Sequence, residues 1–268
     1  MTSGGEGRRT VTVALLSTVL FFALLGVAIT HAPGWPEVHR TFFDWGQFKS
    51  SFPEISSAFL LNVRMFCIAE GFILVFALLL AVVRSLPGPV FFPMRALGIA
   101  YADFFRGVPT ILVIALLGFG APALQLKHVP LSTTFWGIVA LVLVYTAYVS
   151  EVYRAGIESV HPSQDAAARS LGLSHWQSLR KVVLPQAVRR VIPPLLNDFI
   201  GLQKDTALVG FLGSVEAFKQ SQIDAAATFN YTPFVAAAVL FVALTIPLAR
   251  FTDWLVSRDR RRRQATGT

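Results

Sequence analysis

The sequence predicts an all-α membrane protein, a polytopic helical bundle with about six transmembrane helices. Hydrophobic residues make up 54% of its 268 residues and charged residues only 14%, whereas a soluble domain has about 25% charged residues. The mean hydropathy is +0.60. Several apolar runs reach the roughly 20 residues that cross a bilayer as a helix. Many glycines and prolines lie inside these runs, which membrane helices tolerate better than soluble helices do.

The apolar runs divide the chain into three regions. Residues 1–56 hold a short N-terminal segment, an additional first helix and an outer loop, residues 57–256 hold the main transmembrane domain, and residues 257–268 form a basic tail. The first run is too long for the core of a signal peptide, so it is expected to be retained as a membrane helix. The predicted helices are, in order, residues 11–30, 57–83, 108–124, 133–153, 191–215 and 233–256.

The distribution of basic residues predicts the topology. Of the 23 lysines and arginines, 16 fall in loops or termini on one side of the six predicted helices and four on the other. Because cytoplasmic loops of membrane proteins are enriched in lysine and arginine, both termini are expected to lie in the cytoplasm. The net charge of +8 is therefore attributed to topology, and nucleic-acid binding is not expected.

Several classes of chemistry are excluded by what the sequence contains. The single cysteine excludes a disulfide framework within the chain. The five histidines are scattered and do not have the spacing of a metal site. A Gly-x-x-x-x-Gly-Lys-Ser/Thr phosphate-binding loop is missing from the sequence. The chain is therefore not expected to be an enzyme or to hydrolyse ATP.

Charged residues inside the predicted helices indicate a transport pathway or an internal contact. Glu70 lies deep in the second helix, where it either pairs with another helix or faces substrate. Glu151 ends the fourth helix three residues before Arg154, a spacing that fits a structural pair but also a gate. Both interpretations stay open for each residue.

The fifth predicted helix is the most unusual one. It contains Pro193-Pro194 and three glycines, which weaken a continuous helix. Broken helices at membrane depth usually line a substrate cavity. Its polar side chains could bind both the ammonium and the carboxylate of an amino acid, or they could serve helix contacts or gating. The candidates in this helix are Asn197, Gln203, Lys204, Asp205 and Thr206.

A polar stretch from residue 151 to residue 185 separates the fourth and fifth helices. Its length and composition predict a cytoplasmic loop with two short amphipathic helices joined by a left-handed turn at Gly172. From these residues alone, a docking surface for a partner and a solvated loop on the membrane surface are both possible.

The spacing within this stretch points to a known family. Asp165-Ala-Ala-Ala-Arg-Ser-Leu-Gly172 is followed, after nine residues, by Val182-Val-Leu-Pro185. This pattern resembles the EAA loop of ABC importer permeases. Five further phrases are similar to the branch of that family that takes up polar amino acids: Tyr101-Ala-Asp-Phe-Phe-Arg-Gly-Val-Pro109, Ala147-Tyr-Val-Ser-Glu151-Val-Tyr-Arg-Ala-Gly156, Leu184-Pro-Gln-Ala187, Pro193-Pro-Leu-Leu-Asn197 and Lys204-Asp-Thr-Ala-Leu208.

The resemblance implies the type I ABC importer transmembrane fold for residues 57–256, with a coupling loop at about 154–190 that docks on a separate ATPase. One position departs from the pattern: the usual glutamate position is Ala166, and the acid is Asp165. Two interpretations stay open: Asp165 replaces the contact of the family's glutamate, or only the capping of the helix start survives at this point. The residues expected to couple to the ATPase are Asp165, Ala166, Ala167, Ala168, Arg169, Leu171, Gly172, Leu173, Trp176, Leu184 and Pro185.

By the same resemblance, the chain is expected to import polar amino acids across the cell membrane by alternating access. The expected partners are a cytoplasmic ATPase dimer, a second permease of the same or a homologous sequence, an extracellular solute-binding protein, membrane lipid and the amino-acid substrate. No cofactor is expected in this chain, because the ATPase would bind ATP and Mg²⁺. The alternatives are a secondary carrier or channel that is independent of ATP, and a membrane scaffold that transports nothing.

Overall fold

A computed structural model describes residues 3–86 and 88–266 of the chain. Gly267 and Thr268 of the predicted tail, and Pro87 of the turn after the second predicted helix, lie outside the described residues. The described residues form eleven α-helices with a short π-helical segment and a 3₁₀ helix. In order these are α1 (Ser3–Thr30), α2 (Trp35–Phe42), α3 (Trp45–Ser85), α4 (Phe92–Gly107), α5 (Thr110–Ala123), α6 (Thr133–Glu158), α7 (Pro162–Ser170), α8 (His175–Ser178), the π segment (Leu179–Val183), α9 (Leu184–Asp205), the 3₁₀ helix (Thr206–Leu212), α10 (Ala217–Thr228) and α11 (Thr232–Thr266).

The membrane-spanning character agrees with the sequence prediction. Within the described ranges, four helical segments are long and apolar enough to cross a bilayer, and α4 and α5 form a pair bent by 101° that provides up to one more span. The predicted fifth helix corresponds to α9 and the 3₁₀ helix, which are not among these spans, because α9 carries five charged residues and the 3₁₀ helix has only seven residues. The total is consistent with about six transmembrane segments.

The first span stands apart from the bundle. None of the apolar window within Thr10–Thr30 is buried against the rest of the described chain. Its leucine, valine and phenylalanine side chains are exposed, which a bilayer tolerates because lipid tails are themselves apolar. The described side chains of α1, from Thr10 onward, therefore contribute nothing to the core of this single chain.

Helix α6 lies at the centre of the bundle. More than half of its apolar window, 56%, is buried inside the chain. Leu141 and Val144 are fully buried in a cluster that also includes side chains from α3, α5, α9 and the 3₁₀ helix. Small residues let these elements approach closely, since a side chain at Gly137 would collide with Val209 of the 3₁₀ helix. The 3₁₀ helix is thereby packed directly on α6.

Two regions predicted as outer loops are largely helical. The second membrane helix was expected to start at residue 57, but α3 starts at Trp45, where the Asp44 carboxylate accepts a hydrogen bond from the Gln47 amide at 2.9 Å. Residues 216–232 contain α10, which the sequence analysis did not predict. The Glu216 carboxylate caps α10 by accepting hydrogen bonds from the amides of Phe218 and Lys219. In both places a capping carboxylate starts a helix in a polar segment.

Candidate functional site

The polar stretch forms a compact helical loop. Helix α7 ends at Ser170, and Gly172 has the left-handed φ of +86° that the sequence analysis predicted. The amides of Gly172 and Leu173 donate to the carbonyls of Arg169 and Ala168, at 3.0 and 3.3 Å. These two bonds satisfy carbonyls at the end of α7 and reverse the chain. Only the first of the two expected short helices is separate, because α8 continues through the π segment into α9.

The end of this loop exposes apolar side chains. Leu171 is 84% exposed and Trp176 is 67% exposed. Ala166, Ala167, Leu184 and Pro185 are exposed as well, Leu173 is half-buried, and Ala168 is buried inside the loop. The Arg169 side chain is also exposed. An exposed apolar tip beside a basic side chain is a surface that can pack against another protein.

The base of the loop is fixed to the bundle. On α9, the Arg190 guanidinium donates to the carbonyl oxygen of Ser159 and, at 3.1 Å, to its hydroxyl oxygen. A side chain at Gly156 would collide with Val191, so α6 and α9 are in close contact beside this point. Helices α6 and α9, which lead into and out of the loop, are therefore held together.

Three arginines surround Glu151 near the end of α6. Its carboxylate lies 2.6 Å from Arg84 of α3, 2.8 Å from Arg154 and 3.6 Å from Arg106 of α4. The Arg84 side chain is only 8% exposed, so the carboxylate compensates a nearly buried cation. The spacing in the sequence indicated only Arg154 as a partner of Glu151. The structure makes Glu151 a junction between α3, α4 and α6.

A second group of charges lies inside the bundle. The Tyr145 hydroxyl of α6 donates to the Asp205 carboxylate of α9 at 3.0 Å. Asp198 lies seven residues before Asp205 and therefore on the same helix face. Glu70 of α3 interacts electrostatically with Asp198 and with Tyr153. Asp198 was not among the candidate substrate residues, although its spacing from Asp205 was a signal for it.

The remaining polar candidates of α9 do not face this acidic group together. Gln203 is buried and accepts a hydrogen bond from Thr245 of α11 at 3.0 Å, while Asn197 and Lys204 are exposed. Thr206 is buried and donates to the Gln203 carbonyl oxygen at 2.7 Å. Gln203 and Thr206 therefore hold neighbouring elements together. The transport roles of all seven candidates stay predictions.

A buried network that the sequence analysis missed joins α3 to the 3₁₀ helix and α10. The Asn62 amide donates to the Thr206 hydroxyl at 3.1 Å and to the Glu216 carboxylate at 3.0 Å, and its oxygen accepts from the Ala217 amide at 3.0 Å. The polar sequence around Glu216 predicts an outer loop, and local sequence does not reveal its distant partner. Its position directly before a helical stretch was the available signal.

The bundle, its charged interior and its exposed helical loop define the class: a multi-pass membrane permease. The family model described as "Binding-protein-dependent transport system inner membrane component" matches residues 90–261. The chain belongs to this family. It is a permease subunit of an ABC importer, and ATP hydrolysis resides in a separate subunit. The family implies an ATPase and a substrate-binding protein as partners.

Individual relatives agree with this assignment. The chain is 34% identical over 204 residues to the probable amino-acid permease protein YxeN of Bacillus subtilis (strain 168), covering 76% of this chain and 90% of that protein. It is 35% identical over 170 residues to the probable glutamine ABC transporter permease protein GlnM of the same organism, covering 63% and 77%.

Solved structures show the same fold. An amino acid ABC transporter crystallised with histidines has a TM-score of 0.72 and 26% identity, covering 80% of this chain and 98% of the other. The MetNI methionine ABC transporter in an inward-facing conformation has a TM-score of 0.60, with 76% and 95% covered. At 19% identity, the second likeness concerns the fold alone.

Proposed function

We propose that this chain moves amino acids into the cytoplasm by alternating access, driven by a separate ATPase that docks on residues 159–185. The observation that carries the proposal is the exposed tip of the loop, Leu171 and Trp176, on a base that is fixed to the bundle. Relatives and a solved structure whose names refer to amino-acid transport support the substrate class. An exposed tryptophan in a polar loop fits a site of partner contact.

The path from the loop to the interior is one continuous helical run. Helix α8, the π segment and α9 follow one another without a break from His175 to Asp205. At about 1.5 Å per residue, such a run extends for some 45 Å. A displacement of the docked loop would therefore move the helix that carries Asp198 and Asp205. This geometry supports coupling between ATPase closure and the exposure of the interior charges.

The interior charges favour a substrate with an ammonium group. Glu70, Asp198 and Asp205 provide three carboxylates on α3 and α9, with Tyr145 and Tyr153 beside them. A group of carboxylates attracts cations and repels a second carboxylate on the substrate. The proposal therefore places basic and neutral amino acids ahead of acidic ones.

The proposed assembly contains two permease subunits, either two copies of this chain or this chain with a homologue, and two ATPase subunits. An extracellular solute-binding protein delivers the amino acid. The excess of lysine and arginine on one side, 16 against four, supports cytoplasmic termini and a cytoplasmic loop. The basic tail at residues 257–268 would then lie near anionic headgroups.

Uptake by the complex in proteoliposomes tests this proposal. The purified permease, its ATPase and its binding protein would be reconstituted, and labelled arginine, glutamine and glutamate would be offered with and without ATP inside. We expect ATP-dependent uptake, with glutamate the weakest substrate. Uptake that persists without ATP or binding protein would favour a secondary carrier or channel. No uptake of any amino acid by a correctly assembled complex would favour a scaffold.

Two substitutions test the interior charges. Asp198→Asn should weaken transport of a basic amino acid about tenfold or more, because the charge-assisted hydrogen bond from the substrate's ammonium group to the carboxylate is lost. Asp205→Ala should also impair transport while the ATPase still copurifies with the permease. Asp253→Asn is the matched control, since among the described side chains this exposed acid on α11 pairs with Arg250 alone, at 3.6 Å. Loss of ATPase binding in Asp205→Ala would make that residue structural.

A further inference from the structure

The acid of the coupling loop points into the loop. The Ser178 hydroxyl of α8 donates a hydrogen bond of 2.6 Å to Asp165 Oδ1 on α7. Ser178 is fully buried, although it lies in a short, mostly exposed loop. The other carboxylate oxygen, Oδ2, is 3.9 Å from the Arg169 guanidinium, which is too long for a hydrogen bond. The principal partner of Asp165 is therefore a hydroxyl group on the opposite arm of the loop.

The shift of the acid by one residue explains this direction. Successive residues of an α-helix are rotated by about 100°, so Asp165 and Ala166 lie on different faces of α7. Ala166, which stands at the family's usual acidic position, is exposed. The Asp165 side chain is 31% exposed and faces Ser178. A surface that docks on Ala166 would therefore meet a methyl group. The Asp165 carboxylate is instead hydrogen-bonded to Ser178 inside the loop.

The structure assigns to Asp165 the role of a positioning residue: its hydrogen bond with Ser178 fixes α7 against α8. Along the chain, this bond lies between two other connections. One is the reversal at Gly172, and the other is the contact of Arg190 with Ser159 at the base of the loop. With all three in place, the loop moves as one rigid body, and motion of the exposed tip is transmitted to α9. The inference rests on the proposed coupling function.

Four variants in the complete complex test the assignment. Asp165→Asn keeps a carbonyl oxygen that accepts the Ser178 proton, whereas Asp165→Ala and Ser178→Ala each remove the bond. The measurement is the number of amino-acid molecules imported per ATP hydrolysed. Asp165→Asn should stay close to the original protein. Each alanine variant should lower the ratio about fivefold, the effect of one net hydrogen bond, and the double alanine variant should be no worse than either single one.

Other outcomes overturn the assignment. If Asp165 gave its charge directly to the ATPase, Asp165→Asn would fail as badly as Asp165→Ala, and Ser178→Ala would behave normally. Additive losses in the double variant would also contradict a shared bond. If Ser178→Ala does not assemble with the ATPase, Asp165→Asn alone decides between charge and hydrogen bond. A complex of the original protein that transports nothing with ATP would instead refute the proposed function.

A spectroscopic measurement reports on the loop without transport. Spin labels at the exposed positions Gln164 and Lys181 would measure the separation of the two arms in the assembled complex. A narrow distance distribution in the original protein and in Asp165→Asn, with a broader one in Ser178→Ala, is expected. Equal widths in all three would show that the bond does not fix the arms.

Discussion

Replacing Asn62 by alanine should destabilise the end of the bundle that lies far from the loop. Asn62 is almost completely buried and makes three hydrogen bonds to other elements. Its removal leaves the Ala217 amide without its acceptor and takes one donor from the fully buried Glu216 carboxylate. Each buried group that loses its partner costs about 1–3 kcal/mol, so the two together should lower the free energy of unfolding by roughly 2–6 kcal/mol. Thr206 keeps its bond to the Gln203 carbonyl oxygen.

Thermal unfolding of the purified permease in detergent, followed by size-exclusion chromatography with fluorescence detection, measures this effect. About 2–4 °C per kcal/mol is expected for a domain of this size, so the midpoint should fall by roughly 5 °C or more. Asn197→Ala is the matched control, because it removes the same side chain from an exposed position. An Asn62→Ala midpoint equal to that of the control would refute the argument that the network stabilises the fold.

Two further predictions concern the loop and its base. Glu151→Gln should destabilise the permease by about 3–5 kcal/mol, since Arg84 would remain as a nearly buried, unpaired cation. In the same unfolding assay, Glu158→Gln, whose side chain is 61% exposed, should have little effect, and equal losses would contradict this difference. Gly172→Asp should leave the bundle folded but prevent ATPase binding or coupling, as measured by copurification and ATP-driven uptake. Gly88→Asp controls for backbone strain, because Gly88 has a similar φ of +91° in another turn. Full uptake by Gly172→Asp would argue against a role of this turn in ATPase docking.

Local patterns were sufficient for the class of protein and for the position of the loop. Long apolar runs cross a bilayer whatever their neighbours are, so composition and run length predicted a polytopic helical protein. The turn at Gly172 was predictable as well, because a left-handed residue at a helix end is a local property for which glycine is favoured. The starts of α3 and α10 were missed, since the capping carboxylates of Asp44 and Glu216 lie in segments whose polarity suggested loops.

The sequence by itself determined the membrane class, the approximate number of spans and the motifs of the coupling loop. Each of these depends on residues close together in the chain. Only the tertiary structure decided which polar and charged side chains meet. It placed Arg84 beside Glu151, Glu70 near Asp198, and Ser178 on Asp165. Such contacts join separate helices, and their geometry is set by how the helices pack. The carboxylate of Asp165 is accordingly directed by the packing of α7 on α8, which the spacing of the motif could not reveal.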